Sequence, residues 1–268
     1  MSANDVLYTK LERAKKHIGD LETEWKVFFE NHGYDIAYDD DVQRRERRYY
    51  LAVAKDIPPV VPLIVGDAIH NLRSSLDHLA HHLVAIGRGV PGPFRGIYFP
   101  IHESAAVYKV KSPGQIKGMR KAAIDAIDAI EPYGGGAGHT LWQIHRLDNI
   151  DKHRLLLTVY GELLNHSLLP SQREQIIKGF LASHPGSPAP DLTGVYIAPG
   201  RRLPPLKEGD TLLTIPESEM EQYMNFSIGI AFGEPEVLQG NSVIPTLQGM
   251  AQFVELILRK FADLGLLS

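Results

Sequence analysis

None of the 268 residues is cysteine. That excludes disulfides, thiolate nucleophiles and Cys-ligated zinc or iron–sulfur centres. Long apolar runs are missing too: no stretch approaches the roughly twenty residues that a membrane-spanning helix needs. The opening MSANDVLYTKLERAKK has no apolar signal core. Both absences lead us to expect a cytoplasmic protein with no membrane segment. Neither sign of charge dominates, since 28 Lys and Arg face 32 Asp and Glu, a net charge of -4. Such a balance gives nonspecific nucleic-acid binding no support but leaves room for a local basic patch. There is no internal repeat and no low-complexity segment. At 44% hydrophobic residues the chain can bury a real core, and we expect one domain over 1–268.

A further scarcity singles out Val65–Val84, reading VGDAIHNLRSSLDHLAHHLV: its polar faces contain no Lys and no Glu. Placed at 100° per residue, Val65, Ile69, Leu72, Leu76, Leu79 and Leu83 share one arc, the core face of a long helix. His70, Asp77 and His81 form a narrow polar arc flanked by Arg73 and Ser74, with Asn71, His78 and His82 further round. Solvated stripes are built mainly from Lys and Glu. Short polar side chains such as these suit groups that must meet each other. One reading is a polar network that locks this helix to its neighbours, Asp77 fixing a His tautomer and an Arg. A second is a nucleic-acid or ribonuclease site on Arg73 and His78. A third is a metal site on His70, Asp77 and His81, with His145 or Asp148 adding a ligand of the nitrogen and oxygen class that suits zinc, manganese or iron.

The remaining chain divides by periodicity. Apolar residues at spacings of three and four predict helices over 5–31, 113–130, 140–153 and 244–264, with a short one over 171–181. Pro62 suits the first turn of the central helix. Residues 34–41 read as acidic and turn-like, and 44–54 as a strand. Further strands are expected within 154–163, 195–197, 211–215 and 224–232. The run Gly134-Gly135-Gly136-Ala137-Gly138 lacks the Lys and Ser or Thr of a phosphate-binding loop and reads as a flexible connection. The fold class is therefore α+β: a bundle of about four long helices packed with an antiparallel or mixed four- to five-stranded sheet. The helical part is mainly 5–153 and 244–264, the β-rich part mainly 154–235 plus the strand near 44–54. Arg44, Arg45, Arg47 and Arg48 form the densest basic patch, which either holds a phosphate backbone or keeps an edge strand solvated.

The stretches GDAIHNLRSSLDHLAHHL (66–83) and LDNIDKHRLLL (147–157) resemble two signatures of a family of uncharacterised bacterial proteins, common in actinobacteria. The matching residues include Gly66, His70, Arg73, Asp77 and His78 in the first stretch, and Asp151, Lys152, His153 and Arg154 in the second. The turn at Phe99-Pro100-Ile101 is similar as well. That family brings no established activity. A looser resemblance is to the HEPN superfamily, whose motif pairs an Arg with a His a few residues on, as Arg73 and His78 do here. It implies metal-independent RNA cleavage, the 2′-hydroxyl attacking the adjacent phosphate, and no cofactor. Catalytic Arg73, His78 and Asp77 would act with Asn71, Lys152, His153, Arg154 and Arg47 as substrate-binding groups. Five residues apart, Arg73 and His78 lie about 140° apart around one helix. They converge only across a dimer axis or through long side-chain reach, and this reading predicts a homodimer with RNA or a nucleotide as its partner. The non-enzymatic alternative keeps the polar cluster as a structural network in a protein that binds a partner.

Overall fold

The computed structural model describes residues 3–153, 156–199 and 205–268, with the side chains of the first helix described from Leu7 onward. In chain order the helices are α1 (Ala3–Glu30), α2 (Val60–Arg88), α3 (Ala105–Gln115), α4 (Lys121–Asp128), α5 (His139–His153), α6 (Pro170–Ser183) and α7 (Val243–Asp263). The strands are β1 (Tyr34–Asp41), β2 (Glu46–Ala54), β3 (Val159–Ser167), β4 (Tyr196–Ile197), β5 (Thr211–Pro216) and β6 (Phe226–Phe232). They sort into two compact units. One comprises the chain up to Lys26, Pro58–Val159 and Phe232–Ser268; the other comprises Val27–Ile57 and Tyr160–Ala231.

The first unit is a helical bundle organised by α2. This helix of 29 residues spans about 43 Å at 1.5 Å per residue. It carries Pro62 in its first turn and stops at Gly89, whose φ of 68° is the left-handed cap that glycine adopts without strain. Its stripe of Val65, Ile69, Leu72, Leu76, Leu79 and Leu83 is buried. α2 packs on α5 and α7, which bury Leu141, Ile144 and Leu147 and, respectively, Leu247, Val254, Leu258 and Phe261. α1 adds Leu7, Leu11, Ala14, Ile18 and Leu21. Polar ties hold α1 as well: Ser75 Oγ donates to the Leu7 carbonyl at 3.4 Å, and Lys15 pairs with Glu255 of α7 at 3.0 Å.

Two local expectations change here. The helix expected over 113–130 is broken: α3 ends at Gln115 and α4 begins at Lys121. Gly118, at φ 103°, turns the chain between them. The apolar stripe survives the break, because Ile116, Met119, Ala123, Ile127 and Ile130 are all buried. Periodicity registered the burial and missed the interruption. The glycine run, expected as a flexible connection, is a hydrogen-bonded turn: Gly136 N–H donates to the Tyr133 carbonyl at 3.1 Å and Gly138 N–H to the Glu131 carbonyl at 3.2 Å.

The second unit holds the strands in two three-stranded sheets, ordered β1-β2-β5 and β4-β3-β6, with α6. This corrects the expectation of one sheet of four or five strands. It also corrects the reading of 34–41 as a turn, since these residues form β1. Asp39 lies opposite Arg48 and Asp40 opposite Arg47 in the antiparallel register. Both pairs are bidentate, at 2.6–3.2 Å for Arg48 with Asp39 and 2.7–2.9 Å for Arg47 with Asp40. Consecutive aspartates disfavour a strand on their own. Cross-strand arginines compensate, and that pairing is invisible to a local window. Ring packing of Tyr49 on Phe226, 5.1 Å between centroids, joins β2 to β6. Among the described residues, no helix is long and apolar enough to cross a membrane.

α2 and α5 approach closely at Gly66, where a Cβ atom would stand 2.4 Å from Asp151 Oδ1. Gly66→Ala gains helix propensity of about 1 kcal/mol but forces Asp151 aside in a packed interface. The expected outcome is net destabilisation of about 1–2 kcal/mol in urea denaturation. Unchanged or raised stability would show that Asp151 moves freely.

Candidate functional site

The polar side of α2 meets α5 and the extended segment Tyr98–Pro100, all within the helical unit. At the centre is Arg73, only 6% exposed. Its three guanidinium nitrogens each have a partner. Nη1 donates to Asp77 Oδ1 at 2.6 Å, Nη2 to the Phe99 carbonyl at 3.1 Å, and Nε to His145 Nδ1 at 3.4 Å. Asp77 Oδ1 also accepts the Phe99 N–H at 2.9 Å, so Arg73 and Asp77 together clamp both backbone groups of Phe99. An arginine only donates. His145 Nδ1 must therefore accept, which puts the ring proton on Nε2 and requires the Asn149 amide, 3.1 Å away, to be turned so that its oxygen accepts that proton. Burial, and next the Arg73 charge, push the His145 pKa down to about 4. The imidazole is neutral at physiological pH.

A second set lies beside this one. Asp148, 2% exposed, accepts from His70 Nδ1 at 3.1 Å and from Lys152 Nζ at 2.5 Å. Ser74 Oγ lies 3.4 Å from His70 Nε2. Hydroxyl, imidazole and carboxylate thus stand in the order of a hydrolase relay. Ser74 sits mid-helix, however, where backbone N–H groups are spent on α2 itself and no converging pair faces a developing oxyanion. The set works as a tether between α2 and α5. The Asp151 carboxyl, packed on Gly66, is held above the usual carboxylate range by burial first and then by Asp148.

Over these residues lies a cleft of about 420 Å³. Arg73, Asp77, His145, Asp148, Asn149 and Lys152 line it from α2 and α5; Tyr98, Ile101, His102, Lys111 and Gln115 complete it from the connecting segment and α3. His102 Nε2 lies 2.8 Å from Gln115 Oε1, and burial lowers the His102 pKa. Sequence reasoning missed His102, Lys111 and Gln115. The one available signal was that His102 directly follows the Phe99-Pro100-Ile101 turn.

The structure brings together Arg73, Asp77 and Lys152 of the expected site. It does not bring His78 to them. His78 is half-buried with Lys10 of α1, Asp77 and His81 as its charged neighbours, and its pKa is lowered by burial and then by Lys10. No hydrogen bond joins His78 to Arg73 among the described residues. Asn71 turns back to the Asp67 carbonyl at 2.8 Å. His153 is exposed at the end of α5, and Arg154 lies outside the described residues. Arg47 belongs to the other unit, where Asp40 takes its guanidinium and Tyr38 stacks beneath it, 3.9 Å from ring centroid to guanidinium carbon.

The metal alternative gains no support here. His70 is engaged by Asp148, Asp77 by Arg73, and His81 stacks on Phe94. Among the described residues no group of three or more His, Asp or Glu could hold a metal ion. Compared with protein-family models, curated proteins and solved structures, the chain finds no match.

Arg73→Ala leaves a half-buried Asp77 and the Phe99 carbonyl without their cationic partner, and is expected to cost about 3–5 kcal/mol in chemical denaturation. A loss below about 1 kcal/mol, the value of an exposed pair, would show that the network is solvated. His145 adds a pH signature. Its folded pKa of about 4 lies below the ordinary 6.5, so between these values the unfolded chain binds a proton that the folded chain refuses. Its contribution is complete above pH 6.5 and is lost as pH falls toward 4. His145→Gln should reduce the stability difference between pH 7 and pH 4.5 by about 2–3 kcal/mol. An unaltered pH profile would contradict the buried neutral imidazole.

Proposed function

We propose that this chain binds a small anion of the phosphate or nucleotide class in the cleft, on a scaffold made rigid by the Arg73 network. The observation that carries this reading is the charge balance of the cleft lining. Arg73, Lys111 and Lys152 contribute three cations against Asp77 and Asp148. The two carboxylates are already taken by Arg73, His70 and Lys152. Lys111 has no ion pair among the described residues, so one ammonium group faces the cleft uncompensated. Gln115, Asn149 and the imidazoles of His102 and His145 supply the neutral donors and acceptors with which sugar and base edges are recognised. The two stretches that resemble the actinobacterial family supply five of these lining residues: Arg73, Asp77, Asp148, Asn149 and Lys152.

Metal-independent RNA cleavage by Arg73 and His78 draws no support from this arrangement. Every Arg73 nitrogen is committed within the fold, and no hydrogen bond joins His78 to Arg73 among the described residues. The reading proposed here requires neither a metal nor a dimer. A cysteine-free chain with no membrane-length helix among its described residues suits the cytoplasm, which we include in the proposal.

Calorimetric titration with adenosine monophosphate and with inorganic phosphate tests it. Binding should weaken as salt rises, and Lys111→Ala should lower affinity about fivefold to tenfold, the worth of one charge-assisted bond of about 1–1.4 kcal/mol. Failure of phosphate, mononucleotide and a short RNA alike to bind would overturn it.

A further inference from the structure

A cavity of about 550 Å³, larger than the cleft and sharing no residue with it, opens between α3 and α4. Its size is that of a small-molecule site. Two kinds of group line it. Tyr108, Ile116, Ile124 and Tyr133 supply apolar walls, the two tyrosine rings standing 5.7 Å apart. Asp128, Glu131, Lys109 and Lys117 supply two charges of each sign, and none of the four has an ion pair among the described residues. By contrast, Arg73 pairs with Asp77 and Lys152 with Asp148 in the cleft.

Both carboxylates are held in place by neighbouring groups of the fold. Tyr108 Oη donates to Asp128 Oδ1 at 2.6 Å, and burial with that bond pushes the tyrosine pKa well up, so the phenol keeps its proton and stays the donor. Oδ2 of Asp128 has no hydrogen-bond partner among the described residues. Glu131 takes a left-handed backbone, φ 52°, which a non-glycine residue adopts at a cost, and its Oε2 accepts the Ala137 N–H at 3.1 Å. The glycine turn thus fixes Glu131 at the cavity.

We propose that this cavity binds a free aromatic amino acid or a zwitterion of the same pattern. The ring packs against the Tyr108–Tyr133 pair and Ile124, the ammonium meets Asp128 and Glu131, and the carboxylate meets Lys109 and Lys117. All four charged side chains are exposed at the cavity rim; a ligand bearing both charges pairs with both sets, whereas an amine alone meets only the carboxylates and an acid alone only the lysines.

The experiment is calorimetric titration of the full chain with tryptophan, tyrosine and phenylalanine, and with tryptamine and indole-3-propionate, which lack one charge each. At least one amino acid should bind, and the two single-charge analogues should bind at least tenfold more weakly than tryptophan. Lys117→Ala, on an exposed side chain, and Asp128→Asn, which retains an acceptor for Tyr108, should each weaken amino-acid binding about tenfold while leaving the thermal midpoint and the binding of adenosine monophosphate unchanged. Lys111→Ala should leave amino-acid binding unaltered, which separates this cavity from the cleft. Absence of binding by all three amino acids overturns the proposal. So does equal affinity for the single-charge analogues, or amino-acid binding indifferent to both variants.

Discussion

A buried guanidinium cannot be left unpaired, and much of the helical unit follows from how Arg73 is satisfied. Its stem leaves the middle of α2, where the flanking apolar stripe is fully buried, so the charge is held where water cannot solvate it. Asp77 supplies the countercharge from one turn further along the same helix. Phe99 and His145 supply the remaining acceptors from two other parts of the chain. The network is complete, and no buried side-chain nitrogen or oxygen among the described residues lacks a hydrogen bond. A completed network rigidifies; a partial one would be worse than an apolar core. Because three segments meet on one cation, none can shift without exposing a charge deficit, which is how a single side chain sets the geometry between α2, α5 and the Phe99 segment.

That completeness separates the scaffold from the binding surface. Arg73 contributes its positive potential to the cleft while its donors are spent on the protein. Groups with unused capacity lie further out: Lys111, and the amides and imidazoles that ring the opening. α3 carries residues of both hollows, Lys111 and Gln115 toward the cleft and Tyr108 and Lys109 toward the second cavity. The ring of His102 from the cleft lining meets the ring of Tyr108 edge-on at 6.0 Å. The two hollows are therefore neighbours through side-chain packing.

In the strand-rich unit, charges are handled differently. The aspartates of β1 pair across the hairpin with the arginines of β2; Arg48 is exposed, so solvent screens its pair and that pair contributes little alone, while Arg47 is half-buried against Tyr38. Their joint effect is on register. Slipping β1 by one residue would move each aspartate off its arginine and onto the other face. The basic patch thus finds its partner within the same sheet.

Much of the helical unit was legible in the residues themselves. The stripe on α2, the stripes on α1, α5 and α7, and the concentration of short polar side chains around Arg73 all follow from side-chain chemistry repeated at the helical period, which any helix turns into a face. The tie between Arg73 and Asp77 was legible too, because residues four apart on a helix are neighbours whatever surrounds them. What only the tertiary structure decided is everything that joins distant segments: the aspartates of β1 set against arginines to make a strand of a turn-like run, the division of the strands into two sheets, the separation of His78 from the Arg73 network, and His102 with Lys111 brought over Arg73 to make a cleft. Periodicity measures which way a side chain points from its own helix or strand. It carries no information on what stands opposite, and partners, burial of charge and cavities are properties of what stands opposite.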